Sequence, residues 1–279
     1  MRAGEGQHHI AASALIVALA LPACFSVPSF PNQRDITDLR ILAIKADPQL
    51  VAPGGSTEIT ALVVSPDGPV PGADYRWWWC GKVTGSEGSG SCSWDDDGVT
   101  HLGISDSIAY TAPADVLDQQ DIIIRRYGFR DVVNLEVSYQ GQTARSFARV
   151  QVQRDAENKN PALEGLIIEG AVARGTAFVV KPEVKYVVSP AVGAGSRETF
   201  TTRDFLDNPV TLTEELEFSW YSTGGSLSDG VTVEGSRSAT HWKAPDTAPD
   251  DGKPLWVFTV VYDGRGGTDW WAQAIYVEE

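Results

Sequence analysis

The feature that most constrains the fold of this chain is an internal repeat. Four short segments occur twice, in the same order: VVSP at 63–66 and 187–190, YRWWWC at 75–80 and FSWYST at 218–223, AYTAP at 109–113 and HWKAP at 241–245, and VSYQGQ at 137–142 and VVYDGR at 260–265. The spacing between the copies changes only across Gly-, Ser-, Asp- and Pro-rich stretches, as loops on a constant scaffold do. The sequence therefore predicts a duplicated domain.

Each copy consists of short segments in which apolar and polar residues alternate or β-branched residues dominate, such as STEITALVVS, ARVQVQ, LEFSWYS and WVFTVVY. Turn sequences such as SPDG and YDGRGG separate them. The pattern predicts an all-β chain of two tandem antiparallel β-sandwich domains, at 36–154 and 161–279. The polar segment DAENKN, residues 155–160, is interpreted as a hinge-like linker.

Three motifs carry a resemblance to a known fold family. A Trp is embedded in one strand of each copy (Trp77, Trp220), an aromatic-x-Ala-Pro motif follows (Tyr110, Trp242), and the second copy has a late YDGRGG turn where the first has YQGQTAR. Each copy thereby resembles the Ig-like sandwiches of the PKD and related types in exported bacterial proteins. The resemblance implies that the four aromatic residues are core residues. It says little about function, because sandwiches serve many tasks.

The N-terminus has the pattern of an export signal. Arg2 precedes an apolar run at 10–21 that is too short to span a bilayer, which predicts a signal peptide at 1–23. LPAC at 21–24 resembles the lipobox of bacterial lipoproteins, which implies that Cys24 is lipidated and begins a short tether at 24–35. The alternative is an ordinary secretory signal in which Cys24 is incidental.

Phe25 follows this cysteine, in place of the Asp that often retains such lipoproteins at the inner membrane. The whole chain thus resembles a Gram-negative lipoprotein with tandem Ig-like/PKD-like domains. The resemblance implies attachment to the outer membrane of the cell envelope, facing either the periplasm or the cell surface.

The remaining cysteines, Cys80 and Cys92, flank the Gly- and Ser-rich segment GKVTGSEGSGS. In an exported chain disulfides persist, so we predict that these two are bridged. Two free thiols remain the alternative. A metal site is disfavoured, because no second Cys pair or His pair accompanies them.

The formal net charge of −15 disfavours nucleic acid and anionic lipid headgroups as direct partners. Asp95–Asp97 do not fit an EF-hand loop and are interpreted as a solvated turn. After the signal only His101 and His241 remain, and no nucleophile elbow, zincin helix or Walker loop occurs. The sequence predicts no catalytic residue, metal or cofactor.

Two sets of residues are candidates for binding. In YRWWWC, strand alternation places Trp78 and Arg76 on the face opposite Trp77, where an exposed Trp could stack on a sugar ring. The alternative is that Trp78 packs under the Cys80–Cys92 loop. The long loop at 191–209 offers Arg197, Phe200, Arg203 and Phe205 as a recognition surface, or is a tolerated insertion.

We therefore predict a lipid-anchored envelope protein with a non-catalytic binding, adhesion or scaffolding role and a protein or polysaccharide partner. One alternative is a carbohydrate-binding accessory protein that uses an exposed Trp. Another is a hydrolytic enzyme, which would need a pocket with convergent carboxylates or a His.

Overall fold

The structure is a computed structural model that describes residues 33–81, 92–118, 120–154, 157–174, 177–203, 206, 208–235, 237–249 and 252–278. In the one short helix, the side chains of residues 123, 126 and 127 are not described. Cys24 and Phe205 lie outside the described residues. No helix in these ranges is long and apolar enough to cross a membrane.

The first sandwich contains nine strands and a six-residue helix, α1 (Ile122–Tyr127). The strands are β1 (Arg40–Asp47), β2 (Leu50–Val51), β3 (Ser56–Ser65), β4 (Gly68–Pro69), β5 (Asp74–Trp79), β6 (Thr100–Gly103), β7 (Ser107–Thr111), β8 (Phe129–Tyr139) and β9 (Gln142–Val152). In one sheet β3 lies between β1 and β7 and also pairs with β4; the other sheet has the order β2-β9-β8-β5-β6.

The second sandwich repeats this plan. Its strands are β10 (Leu163–Ile168), β11 (Ala171–Ala173), β12 (Phe178–Val180), β13 (Lys185–Val192), β14 (Thr199–Arg203), β15 (Pro209–Thr213), β16 (Glu217–Ser222), β17 (Ser226–Leu227), β18 (Val231–Val233), β19 (Thr240–Lys243), β20 (Leu255–Tyr262) and β21 (Thr268–Val277). The sheets have the orders β11-β10-β13-β19-β17 and β12-β21-β20-β16-β18, and β14 and β15 form a separate hairpin.

Both sandwiches have the strand order of the immunoglobulin fold. In immunoglobulin lettering, β1, β3 and β7 are A, B and E, and β2-β9-β8-β5-β6 is A′-G-F-C-C′. In the second sandwich β10, β13 and β19 are A, B and E. The short A′ strand pairs in parallel with strand G in each case. The predicted all-β, Ig-like fold is therefore confirmed.

Each sandwich encloses its own core around the aromatic residues of the repeat. Trp77 and Tyr110 lie in the first core, and Trp220 and Trp242 lie in the second. All four are buried. Their polar atoms are satisfied: the indole N–H of Trp77 donates to the Ser105 carbonyl at 2.8 Å, for example.

The VVSP segments of the repeat do not occupy equivalent positions. Tyr110 lies opposite Thr57, and Trp242 lies opposite Tyr186. Thr57 therefore corresponds to Tyr186, whereas matching the VVSP segments would pair it with Lys181. The similarity of these two segments reflects apolar strand composition, not a common position.

The segments VSYQGQ and VVYDGR are also out of register, by one residue. Val137 pairs with Tyr75, and Val261 pairs with Phe218, so Val137 corresponds to Val261 and not to Val260. A slip of one residue moves a side chain to the other face of a sheet. Val261 accordingly lies in the second core, whereas Val260 points out of it.

The outward-pointing residues of β20 form an apolar interface between the two sandwiches. Six buried residues make up this junction cluster: Ile36, Ala43, Leu62, Val64, Phe258 and Val260. The A-B face of the first sandwich thus covers the G-F-C face of the second. Trp256 and Trp270 pack against the cluster, while Trp271 packs against the second core. Residues 32–279 form one compact unit.

The polar linker is part of this junction. Asn158 is only 6% exposed, and its amide donates to Asp263 Oδ2 at 2.9 Å and to Gln49 Oε1 at 3.3 Å. The Asn160 side chain donates to the Ala46 carbonyl at 2.8 Å and accepts from the Thr268 N–H at 2.9 Å. The amide groups of Asn158 and Asn160 therefore pair with both sandwiches, and this part of the linker belongs to the junction.

The end of the predicted tether also contacts the second sandwich. The Arg34 carbonyl accepts from the Ser222 N–H at 2.9 Å, and the Ile36 N–H donates to the Ser222 carbonyl at 2.8 Å. The Arg34 guanidinium donates to the Ser228 carbonyl at 2.9 Å. Chain entry into the first sandwich is therefore fixed against β16 from Arg34 onward.

Candidate functional site

Trp78 is not available for ligand binding. It points away from the first core, as alternation predicts, but it is only 5% exposed. Its indole N–H donates to the Cys92 carbonyl at 3.1 Å, and its ring meets Trp94 edge-on at 6.2 Å. The proposal that Trp78 stacks on a sugar is contradicted. Trp78 packs beside Cys92 and Trp94.

The predicted bridge is present. Cys80 and Cys92 are joined with a Cα–Cα distance of 5.8 Å, and the Asn134 amide lies 3.2 Å from the Cys80 sulfur. Beyond the bridge, His101 stacks on Trp94 at 3.9 Å, and its Nε2 lies 2.9 Å from the Trp94 carbonyl. This histidine has a packing role. Asp96 accepts from the Ser93 N–H at 2.6 Å, as expected of a turn.

The outward face of the first five-stranded sheet carries most of the candidate site. Arg76 lies here, in line with Glu136 and Arg145 on the two neighbouring strands. Glu136 is bonded to Arg145 at 2.6 Å and to Arg76 at 3.4 Å. One carboxylate is thus shared by two guanidinium groups, which leaves the row positively charged. Asp74 lies at the outer end of the same face.

The rows closer to the second sandwich are basic and partly apolar. Phe147 is 42% exposed, and the Arg149 guanidinium lies 4.8 Å from its ring centroid. Arg130 is exposed and donates to Gln151 Oε1 at 3.4 Å. In the described part of the chain, neither Arg130 nor Arg149 makes an ion pair.

A groove runs between β1 and β9 where the first sandwich meets the second. Its volume is about 430 Å³, and its walls include Ile41, Ile44, Phe147 and three arginines, Arg130, Arg149 and Arg265. The β20–β21 turn, with Gly264 and Gly266, closes one end. No Asp or Glu is among the residues that line it. We call this the arginine groove.

A second, more polar groove continues from the first and shares Arg130, Gln151, Gly264 and Arg265 with it. Its volume is about 620 Å³, and its acidic side chains are Glu157 and Glu198. Glu198 lies 3.5 Å from the Arg265 guanidinium and accepts from the Lys159 N–H at 3.1 Å.

The long loop of the second copy contains β14, the first strand of the hairpin β14–β15, and the base of this hairpin is tied to the junction. Arg265 pairs with Glu214 at 2.8 Å and lies 4.2 Å from the Phe200 ring centroid. Arg197 donates to the Glu214 carbonyl at 2.7 Å. Phe200 and Arg197 therefore brace Arg265 and the hairpin. Arg203 lies opposite Pro209 at the far end of β14.

Arg130, Phe147 and Arg149 were missed in the sequence analysis, although a signal was present. ARVQVQ was recognised as a strand, but the alternation begins earlier, at Arg145, so that Arg145, Phe147 and Arg149 share one face. Arg130 joins them only through strand pairing with Gln151. Within the described ranges, no three His, Cys, Asp or Glu side chains group together to hold a metal ion.

A buried carboxylate lies in the first core. Asp131 accepts hydrogen bonds from the Tyr110 hydroxyl and, at 2.8 Å, from the Trp79 indole N–H. Burial raises the pKa of the Asp131 carboxyl above its ordinary value of 3.8, and these hydrogen bonds offset the rise only in part. Burial, with the nearby Asp131 charge, also raises the pKa of Tyr110.

This pKa predicts a pH dependence of stability. Because the folded-state pKa of Asp131 is higher than the unfolded-state pKa, its contribution to stability is complete below the unfolded pKa and is lost as the pH rises through the folded pKa. We expect the free energy of unfolding of wild type, relative to Asp131→Asn, to fall as the pH rises from about 4 upward. Urea unfolding of both proteins across this range measures the difference in their free energies of unfolding. A difference that stays constant or rises with pH would contradict this prediction.

No protein-family model matches the chain, and no curated protein matches it. Among solved structures, it is similar to a chimeric titin Z1Z2 carrying a decorin peptide, with 13% identity over 88% of this chain and 98% of that one and a TM-score of 0.23. It is also similar to murine CEACAM1b, with 10% identity over 86% of this chain and 100% of that one and a TM-score of 0.22. The three N-terminal domains of the bacteriophage RB49 outer capsid protein Hoc match with 14% identity over 86% of this chain and 70% of that one and a TM-score of 0.24. Similarity this low carries no functional argument, so the fold assignment rests on strand order.

Proposed function

We propose that this chain is a lipid-anchored protein of the cell envelope, attached at Cys24, with a non-catalytic binding or scaffolding role. The partner is held at the arginine groove and the adjoining outward face of the first sandwich. One observation carries the proposal: in a chain of net charge −15, no acidic residue lines this groove, and two of its three arginines, Arg130 and Arg149, make no ion pair in the described structure. Local charge opposite to that of the whole protein favours an anionic partner.

The position of the groove supports this role. The equivalent sheet face of the second sandwich is covered by the first, whereas on the outward face of the first sandwich Arg130, Phe147 and Arg149 are exposed. Phe147 adds exposed aromatic surface beside the exposed guanidinium groups of Arg130 and Arg149, a combination typical of binding sites. The carbohydrate-binding alternative has lost the residue that it relied on, because Trp78 is buried.

The anchor is tested by comparing wild type with Cys24→Ala. We expect wild type to begin at Cys24, to carry acyl mass and to fractionate with membranes, since several acyl chains hold a protein stably on a bilayer. The variant should be soluble and unmodified. A soluble wild type without acyl mass would contradict lipid anchoring.

The binding site is tested separately with the soluble Cys24→Ala protein. We expect saturable binding to Gram-negative envelope fractions, weakened by about tenfold in Arg149→Glu, because charge reversal places a carboxylate in the groove. The matched control is Lys181→Glu, which reverses an exposed charge of the second sandwich outside the groove. Equal binding by both variants would contradict this site.

A further inference from the structure

The arginine groove is bounded by two strand edges. The Gln153 N–H donates to the Val51 carbonyl of β2 at 2.9 Å, so it points toward the groove side of β9. Backbone groups of alternate residues point the same way, and the β8–β9 register is continuous. The N–H and C=O groups of Arg149 and Phe147 therefore face the groove. Strand β2 ends at Val51 and pairs only with Gln151 and Val152.

The facing edge, β1, is also open. Among the described strands, β1 pairs only with β3, whereas its counterpart β10 is covered on its outer side by β11. The first sandwich therefore leaves both edges of its A–G opening without a strand partner. Unpaired strand edges are templates for the addition of another strand.

We infer that the arginine groove binds an extended acidic segment of a partner protein, which adds to β9 as a strand in line with β2. This inference rests on the proposed function and specifies its partner. Unpaired backbone N–H and C=O groups match a peptide backbone, which favours a protein over a polysaccharide. The edge from Ser146 to Arg149 accommodates about four residues, roughly 13 Å of strand. Acidic side chains of the segment lie on the face that carries Arg130, Phe147 and Arg149, and the alternate apolar side chains face Ile41 and Ile44.

The probe is a capped octapeptide of alternating Glu and Val. The control peptides are its Lys–Val counterpart, which reverses the charge, and an N-methylated Glu–Val peptide, which keeps the charge but cannot pair as a strand. We expect the Glu–Val peptide to bind the Cys24→Ala protein and to slow amide hydrogen exchange at Phe147 and Arg149. Both control peptides should bind about tenfold more weakly or not at all.

Two protein variants separate charge from strand pairing. Arg149→Glu should weaken binding of the Glu–Val peptide by about tenfold, and Lys181→Glu should leave its binding unchanged. Phe147→Pro removes a groove-facing N–H without breaking the β8 ladder, so it should weaken binding more than Phe147→Ala does. Circular dichroism establishes that each variant is folded.

Equal binding of the N-methylated peptide, or unchanged amide exchange at Phe147 and Arg149, would overturn strand addition. Binding of polygalacturonate, but not of the Glu–Val peptide, in an Arg149-dependent manner would overturn it in favour of a polysaccharide. In either case, loss of envelope binding in Arg149→Glu would leave the proposed function standing. Peptide binding together with Arg149-independent envelope binding would instead remove the groove from the proposed function.

Discussion

Phe258→Ala is expected to lower the free energy of unfolding by about 3–5 kcal/mol. Phe258 is completely buried, yet it lies in the junction cluster and not in either sandwich core. Truncation leaves a cavity that neither sandwich can fill by itself. If the junction is packed as tightly as a sandwich core, the loss of unfolding free energy will match that for truncating a core phenylalanine. Urea unfolding followed by tryptophan fluorescence measures it.

The matched control is Phe147→Ala, on the exposed face of the first sandwich. This change should alter the free energy of unfolding by about 0.5 kcal/mol or less, because Phe147 is 42% exposed. A loss below about 1 kcal/mol for Phe258→Ala would contradict a packed junction. The two sandwiches would then be independent bodies.

A pair of glycine substitutions tests the same junction from the other side. Gly68 has φ +110°, and a Cβ there would lie 2.2 Å from the Trp256 indole nitrogen of the second sandwich. Gly235 has a similar φ of +97°, but nothing lies within 4 Å of its Cβ position. Both alanine variants carry backbone strain. Only Gly68→Ala should also shift Trp256 fluorescence and open the junction in small-angle scattering.

Removal of the disulfide is the second large effect that we expect. Replacing Cys80 and Cys92 by Ala, in the Cys24→Ala background, should cost about 3 kcal/mol in the chain-entropy model for so short a loop. The change also releases the backbone at position 92, whose carbonyl accepts a hydrogen bond from the Trp78 indole N–H at 3.1 Å. We therefore expect lower stability together with a more solvent-exposed Trp78.

Reduction of the Cys24→Ala protein by dithiothreitol serves as the control, because it opens the bridge without changing the composition. It should reproduce both effects. If the double variant unfolded at the same urea concentration as its parent, the bridge would not support this end of the sheet. Trp94 and His101 would then hold Trp78 without it.

The junction and the proposed binding site are physically linked. The groove takes one wall from β9 of the first sandwich, and the turn that closes it, with Gly264 and Gly266, belongs to the second. The clamp formed by Asn158, Gln49 and Asp263 fixes this turn. A rigid junction therefore keeps the groove in one shape and reduces the ordering cost of binding.

The sequence by itself determined the fold class, the duplication, the four core aromatics and the disulfide. These features are local: alternation with a period of two defines a strand, a buried Trp in each copy marks the same strand, and the two paired cysteines are only 12 residues apart. It also placed Arg76 and Trp78 on the outward face. It did not settle the exposure of Trp78, because contacts with Cys92 and Trp94 decide that burial.

Only the tertiary structure decided how the two sandwiches meet. Val260 and Phe258 look like ordinary strand residues, and nothing local shows that their face is covered by Leu62 and Val64 almost two hundred residues earlier. The same holds for the arginine groove, which joins Arg130 and Arg149 through strand pairing and Arg265 through the junction. Such sites depend on contacts between residues far apart in the chain, and a pattern read along one strand carries no information about them.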